Sequence, residues 1–188
     1  MAPARRIPAW YLGVVLAAGL QRLRELAVSR THSARHPGRQ AAAAGYPVMV
    51  VVHGALFVMP LVEVGFRPRR PRPAWPWLAL LVGATALRWW SIRSLGEAWN
   101  VRAIVAAGLD PVERGPYRHL RHPNYLAVIV EFAALPMAAG AWASALVLSA
   151  ANALIVARRI AAEERLLEEI PAYRERFSGK ARFIPGIF

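Results

Sequence analysis

Two long runs without a formal charge limit the folds open to this chain. They cover residues 41–62 and 132–157, which gives 22 and 26 consecutive uncharged residues. About 20 predominantly apolar residues are enough to cross the hydrocarbon core of a bilayer as a helix. A buried helix in a soluble protein would not need so long an uncharged stretch. The two runs therefore predict membrane-spanning helices.

Composition agrees with this interpretation and excludes several other classes of protein. The chain has 188 residues, enough for one domain, and 56% of them are hydrophobic. Its formal charge of +13 comes mostly from arginines that flank the apolar runs, where we expect contact with lipid phosphates and no binding of nucleic acid. Cysteine is absent, which excludes disulfides and cysteine-based chemistry. The histidine pairs His32/His36 and His119/His122 lack a third ligand at metal spacing, so we expect no metal site.

The apolar segments predict an all-α, polytopic membrane protein that forms a single domain over residues 1–188. A basic connector is expected from Arg22 to Arg39. Residues 124–157 would span about 51 Å as one helix, which exceeds the bilayer core of about 30 Å. Pro136 and Gly140 lie near the middle of this segment, so we expect a hairpin that turns around residues 137–142. The tail from 158 to 177 predicts a cytoplasmic amphipathic helix that breaks at Pro171. We expect about five transmembrane helices, which cover residues 7–20, 45–66, 74–95, 124–137 and 141–157.

Polar residues gather at both ends of the predicted hairpin. The first polar cluster covers residues 115–125 and the second covers residues 158–164. Because a hairpin returns its two ends to the same side, residues 96–123 and 158–188 are expected to form one site at the membrane surface. Eighteen basic residues fall on that side and six on the other, which favours a cytoplasmic site in a multi-pass protein of the bacterial inner membrane.

Four ionisable residues lie within or at the edge of the predicted spans. A charge in hydrocarbon is costly, so each is a candidate for function. Glu63 and Arg88 lie near span ends, where we expect their side chains to reach the interface. Glu131 lies about two helical turns into the fourth span and needs a partner within the protein. The fourth residue is His53.

The two polar clusters resemble the isoprenylcysteine carboxyl methyltransferase family of integral-membrane, S-adenosylmethionine-dependent methyltransferases, which is itself similar to phospholipid N-methyltransferases. The matching pieces are Gly-Pro-Tyr-Arg at 115–118, Arg-His-Pro-Asn-Tyr at 121–125, and Arg-Ile-x-x-Glu-Glu, whose glutamates are 163 and 164. Residues 45–50 and 95–100, with His53 and Glu63, are similar to a bacterial subgroup. That subgroup includes enzymes that methylate alkylresorcinols and alkylpyrones made by type III polyketide synthases.

The resemblance implies that S-adenosyl-L-methionine binds here and leaves as S-adenosyl-L-homocysteine. Carboxylates, imidazoles and aromatic rings suit the hydroxyls, amino-acid end and adenine of this cofactor. The predicted catalytic residues, which would stabilise an acceptor anion or handle its proton, are Arg159, Arg121 and Glu131. The predicted cofactor-binding residues are Tyr117, Arg118, His122, Pro123, Tyr125, Glu163 and Glu164.

Several functions are compatible with the sequence. The leading hypothesis is a membrane O-methyltransferase for a lipid-tailed phenolic or pyrone acceptor, with membrane lipid around it. The same chemistry on a prenylated carboxylate, an amine or a thiol is the closest alternative. A membrane-embedded binding protein without activity is another, and transport is disfavoured because no pair of broken helices repeats. The sequence does not indicate an oligomeric state.

Overall fold

A computed structural model of the chain describes residues 7–68, 71–106 and 108–184. The predicted all-α character holds for most of this part, with one short two-stranded sheet in addition. The helices are α1 (Ala9–Arg35), α2 (Tyr46–Gly65), α3 (Trp75–Leu95), α4 (Pro123–Met137), α5 (Trp142–Leu167) and α6 (Pro171–Phe177). The strands β1 (Gly38–Gln40) and β2 (Ile104–Ala106) pair antiparallel, with Gln40 opposite Ile104.

Prolines mark where four of the helices begin. Pro47, Pro76, Pro123 and Pro171 each lie in the first turn of α2, α3, α4 and α6. A proline is favourable there because the first turn leaves its N–H groups unpaired and proline has none. The expected break at Pro171 is confirmed, since α5 ends at Leu167 and Ile170 is extended.

The predicted hairpin is also confirmed. Helix α4 ends at Met137 and α5 begins at Trp142, with Gly140 at a φ of 68° between them. This left-handed backbone conformation is one that glycine adopts without steric cost. Helix α4 lies at the centre of the molecule and packs against α3 and α5. Phe132 on α4 is fully buried, and the hydroxyl of Tyr11 on α1 donates to the carbonyl oxygen of Leu135 at 3.1 Å.

Helix α1 differs from the expectation. It continues without a break through Arg22 to Arg35, so the predicted connector over residues 22–35 is wrong. The sequence there is rich in Arg, Leu, Glu and Ala, which favour helix, and no proline or glycine interrupts it before Pro37. At 27 residues, α1 is about 40 Å long.

Two helices in the described part of the chain are long and apolar enough to cross a membrane, namely residues 43–65 and 142–167. In the most apolar 18-residue stretch of each helix, only 22% and 33% of the residues are buried, whereas the core helix of a soluble protein is mostly buried. Helix α4 is apolar but shorter, and α1 and α3 carry charges. A helix forms in each of the five predicted segments, but the number of membrane crossings stays a prediction.

Candidate functional site

The structure brings the two polar clusters together at one end of the α4–α5 hairpin. The Nε2 atom of His122 lies 3.0 Å from Oε1 of Glu164. One turn further, the hydroxyl of Tyr125 donates to Oε2 of Glu163 at 2.6 Å. His122 immediately precedes α4 and Pro123 starts the helix, so the first turn points at the last turns of α5.

Glu164 holds the first cluster in place. It is 5% exposed and accepts from Nε of Arg182 at 3.1 Å and from Nη2 of Arg182 at 2.7 Å. It also forms an ion pair with Arg121 at 3.1 Å, in addition to the contact with His122. A buried carboxylate is stable only when such partners compensate its lost hydration. Glu164 does not line the cavity described below, so it positions residues that do.

A segment near the C-terminus supports the same backbone. The N–H of Arg121 donates to the carbonyl oxygen of Ala181 at 2.9 Å, and the N–H of His122 donates to that of Arg182 at 3.1 Å. Sequence reasoning assigned residues 158–188 to the site as a whole but did not single out Arg182. No local pattern marks a residue whose partners, Glu164 and His122, lie 18 and 60 positions away.

A cavity of about 720 Å³ opens beside these contacts. One end is polar and carries His122, Tyr125 and Glu163 from the two clusters. The remainder lies between α1 and α2 and is mostly apolar, with Leu16 and Phe57 among its walls, although Arg22 and Glu25 of α1 also line it. Cavities of this volume suit drug-sized ligands, and this one offers separate regions for a polar and an apolar molecule.

Arg159 lies at the junction of the two regions. Its Nη2 donates to the carbonyl oxygen of Val101 at 2.8 Å, its Nη1 lies 3.0 Å from Sδ of Met49, and its Nε lies 3.3 Å from the hydroxyl of Tyr125. It is 7% exposed and pairs with no carboxylate in the part of the chain described. Arg159 and Glu163 are four residues apart on one helix and could form an ion pair with each other, but this ion pair does not form. A buried guanidinium without a counter-ion is a strong indication of an anionic ligand.

Three buried polar atoms, each on a residue that lines the cavity, have no hydrogen-bond partner among residues 7–68, 71–106 and 108–184. They are Nε1 of Trp99, Nε of Arg121 and the hydroxyl oxygen of Tyr173. Buried polar groups are rarely left unpaired, and these side chains would have to reorient for the three atoms to reach a ligand in the cavity. Burial raises the pKa of Tyr117 and of Tyr173, so both phenols stay protonated donors at neutral pH.

Four of the predicted site residues are not on the wall of this cavity, namely Arg118, Pro123, Glu131 and Glu164. Arg118 is exposed and does not line it, because the turn over residues 115–118 directs Tyr117 inward instead. The placement of Arg118 at the cofactor stays a prediction, which its position off the cavity wall does not support. Glu131 faces a smaller cavity of about 260 Å³, where it accepts a hydrogen bond from Arg22. The expected partner within the protein is thus present, but Glu131 is not on the wall of the main cavity. Pro123 is buried behind it and shapes the turn.

Glu131 belongs to a buried network of four charges. Nε and Nη2 of Arg88 each donate to Glu25 at 2.7 Å, and Nη1 of Arg22 donates to Glu25 at 2.8 Å. Arg88 is 5% exposed, so the expectation that it reaches the interface is wrong. Its partner is 63 positions earlier in the chain, in the segment expected to be a connector. Glu63 instead lies near a helix end, as expected, and accepts from Arg67 and from the backbone N–H of Ser144, both at 2.8 Å.

This mostly helical architecture, with two helices long and apolar enough to cross a membrane, is consistent with the class of all-α membrane proteins. The model of the isoprenylcysteine carboxyl methyltransferase family matches residues 77–169. The uncharacterized protein YpbQ of Bacillus subtilis (strain 168) is 31% identical over 164 residues, which cover 85% of this chain and 96% of that protein. The chain belongs to the isoprenylcysteine carboxyl methyltransferase family. Members of this family are membrane-integral methyltransferases that use S-adenosylmethionine.

Proposed function

We propose that this protein transfers a methyl group from S-adenosylmethionine to the hydroxyl oxygen of a lipid-tailed phenol or pyrone at the cytoplasmic face of the bacterial inner membrane. The observation that carries the proposal is the buried guanidinium of Arg159. It has no carboxylate partner in the described chain and lies where the polar and apolar regions of one cavity meet.

The polar end fits the cofactor chemically. S-adenosylmethionine, when bound, supplies an electrophilic methyl group on a sulfonium. Glu163 and the protonated Tyr117 offer an acceptor and a donor on the cavity wall. Trp99, Arg121 and Tyr173 line the same cavity and carry the donor types that the carboxylate, ribose oxygens and ring nitrogens of such a molecule accept from. Glu164 holds His122 in place, so that its imidazole can also contact the cofactor.

The acceptor is assigned to the apolar region. A phenol or hydroxypyrone ionises more readily beside a cation, and Arg159 would favour that anion. The hydrocarbon tail would lie against the apolar side chains of α1 and α2, such as Leu16 and Phe57. The family name favours a second candidate, a prenylated carboxylate, which Arg159 would also bind. An amine acceptor fits less well, because its ammonium form would be repelled.

Replacement of Arg159 tests this assignment. Arg159→Met should lower kcat/KM for an alkylresorcinol by about 10²-fold, because a preorganised cation in a desolvated site is lost. The dissociation constant for S-adenosylmethionine, measured by calorimetry, should change by less than threefold. Arg158→Met is the matched control, since Arg158 is exposed on the same helix. Its kcat/KM should be unchanged.

Three results would contradict the proposal in different ways. A wild-type protein that binds no S-adenosylmethionine would be a binding protein without this activity. Loss of cofactor binding in Arg159→Met would mean that Arg159 binds the cofactor and not the acceptor. If the protein methylates a prenylcysteine analogue but neither alkylresorcinol nor alkylpyrone, the acceptor is a prenylated carboxylate and the proposed acceptor class is wrong.

A further inference from the structure

We propose that His53 accepts the proton of the acceptor hydroxyl through its Nε2 atom. This inference rests on the proposed function and names the group that completes it. When the methyl group is transferred, the O–H bond of the acceptor breaks and the proton moves to Nε2 of His53. The acceptor oxygen forms its bond to the methyl carbon as the bond from that carbon to sulfur breaks. The positive charge of the sulfonium is thereby replaced by that of an imidazolium.

The hydrogen bond at the other ring nitrogen determines which tautomer His53 adopts. Nδ1 lies 2.9 Å from the carbonyl oxygen of Met49. A carbonyl oxygen only accepts, so Nδ1 carries the hydrogen and Nε2 carries the lone pair. The ring also packs edge-on against Phe132, with centroids 4.8 Å apart and planes at 71°. Both contacts hold the ring in one orientation.

The lone pair on Nε2 is available to a ligand. His53 lines the main cavity, and Nε2 has no hydrogen-bond partner within the described ranges. Met49 connects this histidine to Arg159, because its carbonyl oxygen binds Nδ1 of His53 and its sulfur lies 3.0 Å from Nη1 of Arg159. A proton acceptor and an anion-stabilising cation are therefore held by the same residue.

The carboxylates that line the cavity are less suited to accept this proton. Glu25 already accepts from Arg22 and Arg88, and Glu163 accepts from Tyr125. Asp110 is exposed, away from the buried Arg159. Glu131 is outside the cavity wall.

Charged groups act on His53 from three packed helices. They are the guanidiniums of Arg22 on α1, Arg88 on α3 and Arg159 on α5. Arg22 and Arg88 are neutralised by Glu25 and Glu131, which leaves Arg159 as the net positive charge among these groups. Arg159 stabilises the negative charge on the acceptor oxygen as the proton leaves, whereas the same guanidinium opposes the positive charge on the imidazolium.

A pair of substitutions separates basicity from structure. His53→Asn keeps an N–H at the position of Nδ1, so the bond to Met49 is preserved and the lone pair of Nε2 is lost. His53→Gln places a non-basic amide near the position of Nε2. His32→Asn is the matched control, because Nδ1 of His32 lies 2.8 Å from the carbonyl oxygen of Trp99 and its ring meets Trp99 edge-on. His32 does not line the cavity.

Acceptors of graded acidity provide the decisive measurement. For a weakly acidic alkylresorcinol, His53→Asn and His53→Gln should each lower kcat/KM by about 10²-fold, the usual contribution of a general base. For an alkyl nitrophenol, which ionises without help, the loss should be under tenfold. His32→Asn should match wild type for both. A loss that is equal for both acceptors would overturn the proposal.

A spectroscopic measurement without the cofactor gives an independent readout. The absorbance of an alkyl nitrophenol bound to the protein reports its ionised fraction as pH is varied. The midpoint should shift in His53→Asn and not in His32→Asn. If His122→Asn shifts the midpoint and His53→Asn does not, the proton acceptor is His122 and the proposal is wrong. Calorimetry with S-adenosylmethionine distinguishes failure of this proposal from failure of the proposed function. The dissociation constant of S-adenosylmethionine should be the same in His53→Asn as in wild type, whereas a wild-type protein that does not bind it would contradict the proposed function itself.

Discussion

The hydroxyl of Tyr125 links the two ends of the hairpin at the scale of single atoms. It donates to Glu163 and accepts from Arg159, which separates two residues that would otherwise pair on the surface of α5. The consequence is that Glu163 remains an acceptor for a ligand and Arg159 remains a cation for one. A residue on α4 thus determines what two residues on α5 can bind.

Glu164 offers the sharpest test at this scale. Glu164→Gln replaces a charged acceptor by a neutral amide and removes the ion pairs that Glu164 forms with Arg121 and with Arg182. We expect the free energy of unfolding to fall by about 1–3 kcal/mol, and the affinity for S-adenosylmethionine to fall because His122 loses its support. Thermal unfolding in detergent and calorimetry measure the two effects.

Glu168→Gln is the control for that substitution. Glu168 directly follows α5, is exposed and should change stability by less than about 0.5 kcal/mol. Equal behaviour of the two variants would show that the contacts of Glu164 contribute nothing to the site.

At the scale of elements, the turn over residues 115–118 depends on its first glycine. Gly115 has a φ of 59°, and a Cβ built there would lie 2.0 Å from Oγ of Ser94 and 2.9 Å from Nε1 of Trp90. Gly115→Ala must therefore move the turn away from α3, and with it the ring of Tyr117. We expect a loss of roughly 2 kcal/mol or more in stability, from backbone strain and overpacking together, with weaker cofactor binding by calorimetry.

Gly108 provides the comparison, since it has a φ of 77° and nothing within 4 Å of an added Cβ. Gly108→Ala should show the cost of the left-handed backbone alone and leave cofactor affinity unchanged. If Gly115→Ala costs no more than Gly108→Ala, the close approach to α3 is unimportant.

Elements with local signals were predictable from the sequence, and contacts between distant elements were not. Pro136 and Gly140, with a segment too long for one crossing, predicted the hairpin and so placed His122 near Glu164. Hydropathy misses the continuation of α1 past Arg22, because it treats a charge as the end of a span, although the helix-favouring residues that follow give a local signal. That charge is neutralised by Glu131, 109 positions later. The bond between Arg182 and Glu164 escaped prediction for the same reason.

At the scale of the whole molecule, buried charges alter the argument for orientation. In the topology predicted from the sequence, eighteen basic residues lie on the membrane side that carries the site and six lie on the other side. Of those six, Arg5, Arg6, Arg69 and Arg70 lie outside the described residues. Arg22, Arg88 and Arg159 are bonded inside the protein and do not report on sidedness. Without them, fifteen basic residues still favour a cytoplasmic site against six.

The natural absence of cysteine allows this orientation to be measured directly. Glu168→Cys would label the end of the molecule that carries the site, and Phe66→Cys the opposite end, where the residue is 69% exposed after α2. With a membrane-impermeant maleimide added to intact spheroplasts, Phe66→Cys should react and Glu168→Cys should react only after lysis. The reverse pattern would place the polar end of the cavity outside the cell, where S-adenosylmethionine made in the cytoplasm could not reach it. Labelling of both before lysis would mean that the two ends are not separated by a bilayer.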